Sequence, residues 1–186
     1  GFICSILILN SCERNPVMQQ QENAITMKGN PLTLLGSPVK VGQTAPNFTV
    51  VSNTLTPVNL SDYKGKTVII ASVPSLDTSV CDVETRKFNE KASAMGDKVA
   101  ILTISMDLPF AQARWCGAAG VDRVETLSDY QKADFGTKYG LLIKDLRLLA
   151  RAVVVVDASG VVRYVELVPE LTHEPNYEAA LKVAKE

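Results

Sequence analysis

The sequence predicts an α/β fold, with a central mixed sheet covered by helices on both faces. Three observations predict it. Thr67 to Val73 and Val99 to Met106 are apolar or β-branched over strand length, the mark of strands buried on both faces. Segments with helical apolar spacing alternate with these strand patterns, so helices must pack against the sheet. Ala152 to Val156 and Val161 to Leu167 flank Asp157-Ala158-Ser159-Gly160, which signals an antiparallel hairpin.

The elements follow in order. Leu32-Thr33-Leu34 and Val39-Lys40-Val41 alternate apolar and polar residues across Gly36-Ser37, which predicts an N-terminal hairpin. Phe48 to Val51 and Leu55 to Leu60 read as short strands around Ser52-Asn53. Ser61 to Gly65 reads as one helical turn with a Ser cap and a Gly stop. Thr78 to Met95 has Val80, Val83 or Glu84, Phe88, Ala92 and Met95 at helical spacing, and Gly96 stops it. Asp107 is placed to cap a helix that opens near Pro109, a favoured early position, and runs to about Ala118. Val124 to Leu127 predicts a short strand, Tyr130 to Tyr139 a helix ended by Gly140, and Pro175 to Lys185 a terminal helix. This order is what a thioredoxin-like core with an added N-terminal β-hairpin requires.

The chain has 186 residues, enough for one domain. Apolar residues make up 46% and charged residues 21%, which excludes a disordered or collagen-like chain. A net charge of −1 gives no field for phosphate backbones, so no nucleic-acid partner is expected. His173, the single histidine, has no metal-ligand spacing with Glu174, Cys4 or Cys12, and no metal is expected. No Gly-rich phosphate loop is present.

Residues 1–27 read as an extension outside the domain, which is placed at 28–186. Phe2 to Leu9 is too short to span a bilayer, which needs about 20 residues. It fits the apolar core of a secretion signal. Leu9-Asn10-Ser11-Cys12, followed by a polar stretch, is similar to a bacterial lipoprotein box with a lipid anchor at Cys12. That places the protein in the bacterial periplasm or envelope. The alternatives are a cytoplasmic protein with a loose extension, or a start at Met27. In each case residues before about 28 are expected to be dispensable for catalysis.

Chemistry is concentrated in Val73-Pro74-Ser75-Leu76-Asp77-Thr78-Ser79-Val80-Cys81-Asp82. A buried strand ends, Pro74 breaks it, and Cys81 falls in the first turn of the next helix. Free N–H groups and the helix dipole favour negative charge there, so a thiol at this position is expected to be partly thiolate. Thr78 lies three residues earlier, within reach of the sulfur. The structural alternative is a buried Cys packed as a small apolar group.

The stretch Pro74 to Cys81, followed by Thr85-Arg86-Lys87-Phe88-Asn89, resembles the bacterial thiol peroxidases of the peroxiredoxin superfamily. The resemblance continues through Val41 to Phe48, Asp107 to Cys116, Ala150-Arg151-Ala152 and Leu167 to Thr172. It implies that Cys81 is the peroxidatic cysteine, Thr78 its hydroxyl partner, Arg151 its guanidinium partner and Cys116 the resolving cysteine. Charge developing on a leaving oxygen needs such donors, and Arg151 cannot lose its proton. The alternatives are a strand-end salt bridge for Arg151 and a buried helix cysteine for Cys116. Thirty-four residues lie between Cys81 and Cys116, so the implied disulfide requires adjacent helices and local unwinding.

The resemblance further implies a peroxide substrate, hydrogen peroxide or an organic (lipid) hydroperoxide. It implies thioredoxin or a similar dithiol as reductant, a homodimer, and no bound cofactor, because the thiols carry the electrons. Trp115-Cys116-Gly117 is similar to the start of a Cys-x-x-Cys motif, but Ala119 stands where the second Cys would be. A peroxide-responsive sensor using the same pair with little turnover is the alternative function.

Overall fold

The computed structural model describes residues 17–186. A hairpin of β1 (Gln20–Met27) and β2 (Asn30–Leu35) leads to β3 (Thr49–Val51), β4 (Pro57–Asn59) and a 3-10 turn at Leu60–Tyr63. Then come β5 (Thr67–Ser72), α1 (Ser79–Ala92), β6 (Val99–Ser105), α2 (Pro109–Ala119), β7 (Glu125–Ser128) and α3 (Asp134–Tyr139). β8 (Leu142–Ile143), β9 (Ala152–Val156), β10 (Val162–Leu167) and α4 (Tyr177–Lys185) complete the chain.

Seven strands form one sheet in the order β10-β9-β5-β6-β7-β3-β4, and β1-β2-β8 form a second. β5, β6 and β7 are parallel, while β9 runs antiparallel to β5 and β10 to β9. This is the expected mixed sheet, and the two-residue period of its strands divides the core. Ile69 and Ala71 face Phe88 and Ala92 of α1 and Ala180, Leu181 and Ala184 of α4. Val68 and Ile70 face the other way, toward Phe48, Phe135 and Tyr139, with Ile25 and Leu34 from the hairpin. Helices therefore cover both faces: α1 and α4 on one, α3 with the small sheet on the other.

The N-terminal expectation is corrected. Leu32 to Leu34 does lie in a hairpin, but its partner is β1, not Val39 to Val41. Lys28 and Gly29 make the turn with φ of 50° and 81°, the left-handed pair that a two-residue hairpin needs. The expected turn at Gly36 does something else. Gly36 has φ of 104°, and a side chain there would sit 2.0 Å from the Thr137 carbonyl oxygen, so the chain docks on α3 at this point. Ser37 N–H donates to Thr137 O at 3.0 Å.

The boundary at residue 27 moves with the hairpin, because Gln20–Met27 is part of the fold. Ile25 is 2% exposed. Thr26 N–H donates to Pro169 O, and Leu171 N–H to Thr26 O, both at 2.8 Å. The Glu170 carboxylate accepts from the Thr26 hydroxyl at 2.6 Å and from Lys28 N–H at 2.8 Å. The Thr26 hydroxyl and these amides hold its pKa down, at about 2. The expected signal run and the lipid anchor at Cys12 lie outside the described residues.

Two helices also differ from expectation. α3 begins at Asp134, not Tyr130, because Ala133 adopts φ of 49°. The buried Asp129 carboxylate accepts from Phe135 N–H at 3.1 Å and Gly136 N–H at 2.8 Å, which caps α3 from outside. Asp107 does not cap α2. Leu108 takes that place, and Asp107 turns toward the loop before α1.

Candidate active site

The buried β5 ends at Ser72, and a loop from Val73 to Asp77 carries the chain to Thr78, the N-cap of α1. Asp107 fixes this loop. Its carboxylate accepts from the Ser75 hydroxyl at 2.7 Å, Leu76 N–H at 2.8 Å and the Ser105 hydroxyl at 2.7 Å. The loop is thereby tied to the end of β6, deep in the sheet. From its neighbours in the chain, Asp107 reads only as a helix cap. Ser105 is its near neighbour in the chain, but the Ser75 hydroxyl comes within reach only once β5 and β6 lie side by side.

Cys81 is fully buried in the first turn of α1. The Thr78 side chain makes no cap bond to the helix. Its hydroxyl lies 2.8 Å from Cys81 Sγ and 2.8 Å from Ser75 O. One hydroxyl carries one proton, so the two contacts form a relay. A thiol at Cys81 donates a hydrogen bond to the Thr78 oxygen, while the Thr78 hydroxyl donates its own to Ser75 O. A thiolate instead accepts the Thr78 proton.

Arg151 stands at the head of β9, 2% exposed. Its Nη2 donates to Cys81 Sγ at 3.3 Å, its Nη1 to Glu84 Oε2 at 2.6 Å and its Nε to Leu171 O at 3.0 Å. Burial opposes the charge, but Cys81 and Glu84 beside it hold the guanidinium pKa above its ordinary value. The structure thus brings Thr78, Arg151 and Cys81 together.

Glu84 is the residue that sequence reading missed as a site member. It is fully buried, one helical turn after Cys81. Burial pushes its carboxyl up to about 7, against the pull of Arg151. Its Oε1 has no hydrogen-bond partner among the described residues. The available signal was its position: Glu84 falls in the row with Phe88 and Ala92, where a charge must find a buried partner.

Cys116 lies on α2, half-buried, and is a free thiol like Cys81. The two helices are adjacent, because Trp115 Nε1 donates to Asp82 Oδ1 at 2.8 Å and Trp115 packs against Val73, Leu76 and Cys81. Cys116 itself points to β7, with Sγ 3.2 Å from Thr126 Oγ1. It forms one wall of a hollow of about 390 Å³ that is also lined by Ser52, Asn53 and Val121. Among the described residues no cluster of His, Cys, Asp and Glu could hold a metal.

The Redoxin family model matches residues 40–181. A thiol peroxidase of Halalkalibacterium halodurans is 57% identical over 162 residues, covering 87% of this chain and 97% of that protein. A thiol peroxidase of Bacillus subtilis is 57% identical over 161 residues, covering 87% and 96%. Among solved structures, a peroxiredoxin-like protein from Aquifex aeolicus is similar with a TM-score of 0.81 and 44% identity, covering 89% of this chain and 96% of that one. A thiol peroxidase from Chromobacterium violaceum has a TM-score of 0.77 at 21% identity, which bears on the fold alone.

Proposed function

We propose a catalytic route for this chain, which belongs to the Redoxin family and is a thiol peroxidase: Cys81 attacks the peroxide, Cys116 resolves the product, and a dithiol reductant restores both. In the first step the Cys81 thiolate forms a bond to one peroxide oxygen and the O–O bond breaks. Cys81 becomes a sulfenic acid, and the other oxygen leaves as water or an alcohol after taking a proton. The transition state spreads negative charge over both oxygens. Donors fixed beforehand stabilise that charge without having to reorient.

The observation that carries this reading is the convergence on one buried sulfur of the Thr78 hydroxyl at 2.8 Å and the Arg151 guanidinium at 3.3 Å. A cysteine packed only as an apolar group has no need of a buried cation, whose desolvation costs several kcal/mol. Glu84 compensates Arg151 from the far side and sets its plane, so Nη2 stays on the sulfur. Glu84 is a positioning residue in this scheme.

In the second step Cys116 sulfur attacks Cys81 sulfur. The S–S bond forms, the S–O bond breaks, and hydroxide leaves with a proton as water. Thioredoxin or a similar dithiol then exchanges with the disulfide, is itself oxidised, and returns both cysteines to thiols. Hydrogen peroxide and organic hydroperoxides are the substrates in this reading. Val83, Leu108 and Phe110 are large apolar residues exposed on and beside α1 and α2, and they support a homodimer through this face. Sedimentation of the reduced protein tests that assembly.

Lipidation of Cys12 and an envelope address rest on the box before Glu13 alone. Fractionation of cells expressing the natural gene, with and without Cys12→Ala, tests them. Catalysis is tested by thioredoxin-coupled peroxide turnover. Cys81→Ser is expected to fall to background, and substantial turnover in that variant overturns the assignment.

A further inference from the structure

In the reduced protein the two sulfurs face different neighbours. Cys81 Sγ contacts Thr78 and Arg151, whereas Cys116 Sγ contacts Thr126 on the side of β7. Trp115, the residue before Cys116, packs against Cys81. For Cys116 to reach a sulfenic acid on Cys81, the end of α2 must let go of its present contacts.

Three side chains on α1 hold that end. Asp82, Arg86 and Asn89 are spaced by four and three residues, so they share one face of the helix. Asp82 accepts from the Trp115 indole at 2.8 Å. Arg86 donates to Asp82 at 2.9 Å and to Ala119 O at 3.2 Å, and its guanidinium lies 5.6 Å from the centre of the Trp115 ring. Asn89 Oδ1 accepts from Asp122 N–H at 3.2 Å and Arg123 N–H at 2.7 Å.

These contacts fall where α2 is weakest. The helix ends at Gly120 in the left-handed conformation. Ala119 O is one of the terminal carbonyls that lack a partner within the helix, and it lies at the negative end of the dipole. α2 buries only Pro109 and Gln112, both toward its start. Its second half rests on β7 through Cys116 and Thr126 and is tied to α1 by the side chains of Asp82, Arg86 and Asn89. The hydrogen bonds of Arg86 and Asn89 go to Asp82 and to residues 119–123, none to Cys81 or its donors.

We propose that Arg86 and Asn89, with Asp82, form a clasp on residues 115–123 that sets the rate at which Cys116 reaches Cys81. The proposal rests on the reading of Cys116 as the resolving cysteine. A tight clasp prolongs the life of the sulfenic acid, and a second peroxide then oxidises it to sulfinic acid with loss of water or alcohol. A loose clasp speeds disulfide formation and protects Cys81. Arg86 and Asn89 are positioning residues that act through the mobility of α2.

The test uses the full reduced chain and three variants: Arg86→Met, Asn89→Ala and Cys116→Ser. Met keeps the stem of Arg86 against Trp115 while removing its donors. Trp115 is the only tryptophan of the chain, so its fluorescence follows the clasp. Hydrogen peroxide added in stopped flow is expected to give a first phase linear in peroxide and a second phase independent of it. Arg86→Met and Asn89→Ala are each expected to leave the first phase unchanged and to quicken the second about three- to tenfold, the loss of one partly exposed contact. The sulfinic fraction in intact-mass spectra at high peroxide is expected to fall in step. Amide exchange of residues 117–123 in the reduced protein is expected to rise by the same factor.

Faster exchange with an unchanged second phase overturns the clasp. So does an unchanged exchange rate. A wild-type protein that forms no disulfide, and matches Cys116→Ser in its mass spectra, overturns the Cys116 reading and the clasp with it. That outcome is visible in the wild type alone, before any clasp variant is compared.

Discussion

The surroundings of Cys81 and of Cys116 are built on opposite plans. Cys81 is fixed from three directions: Thr78 in the preceding turn, Arg151 from β9, and the Asp107-tied loop behind Thr78. Its helix buries Cys81, Glu84, Thr85, Phe88 and Ala92. Cys116 has one polar contact to its sulfur and sits on a helix that buries two residues. In the proposed route the first cysteine is held where peroxide would react, and the second has fewer contacts to give up before it resolves the product.

The contrast breaks first at the sulfurs. Cys81→Ser is expected to abolish peroxide consumption in any assay. Cys116→Ser is expected to keep the first, peroxide-dependent phase and to lose thioredoxin-coupled turnover. Its mass spectrum is expected to show added oxygen instead of the loss of two hydrogens. Normal coupled turnover in Cys116→Ser would erase the division of labour between the two regions.

Arg151→Met comes next, with an expected loss of about 10²–10³ in the peroxide rate constant. Stability should show the same division. Phe88→Ala, beneath α1 and against the Tyr177 ring, is expected to cost about 3–5 kcal/mol in urea unfolding. Arg114→Ala, on the exposed face of α2, is expected to change stability by about 0.5 kcal/mol or less. Ile25→Ala is expected to cost about 2–5 kcal/mol, which separates β1 from a dispensable extension.

The smallest effect concerns pH. Burial raises the Glu84 carboxyl in the folded state to about 7, above its ordinary 4.5. A raised folded pKa gives stability that is complete below the unfolded value and is lost as pH rises through the folded one. Wild-type stability is therefore expected to decline between about pH 4.5 and 7 on account of this group. Asp129, raised to about 6 by burial, acts in the same direction in every variant. Glu84→Gln is expected to flatten the decline, measured as the difference between urea midpoints at pH 5 and pH 7.5. An equal slope in both proteins would remove Glu84 as a buried titrating partner of Arg151.

The sequence disclosed the parts whose physics is local. The β-branched run of β5, the break at Pro74 and the helical row through Phe88 and Ala92 each follow from neighbouring residues. β1 was hidden because a bulge, with Asn23 at φ of 52°, breaks its alternation between Gln21 and Ile25. Its turn is Lys28-Gly29, without the Asn or Asp that usually marks such a pair. Glu84 and Asp107 were obscured for another reason. Arg151 lies 67 residues from Glu84, and Ser75 and Leu76 lie 32 and 31 residues from Asp107, so only the assembled sheet brings them close. The orientation of Cys116 toward Thr126 depends on how α2 rotates against β7, which spacing alone does not specify.

In the proposed route, two donors fixed on one buried sulfur determine reactivity with peroxide. Thr78→Val tests it most directly, because valine keeps the shape and no helix cap is lost with the hydroxyl. The measurement is the second-order rate constant of the fast phase, reduced wild type against reduced Thr78→Val, under one peroxide series. A fall of about 10²–10³ is expected, with only a small change in the urea midpoint from the lost bond to Ser75 O. Equal rate constants in the two proteins would contradict it.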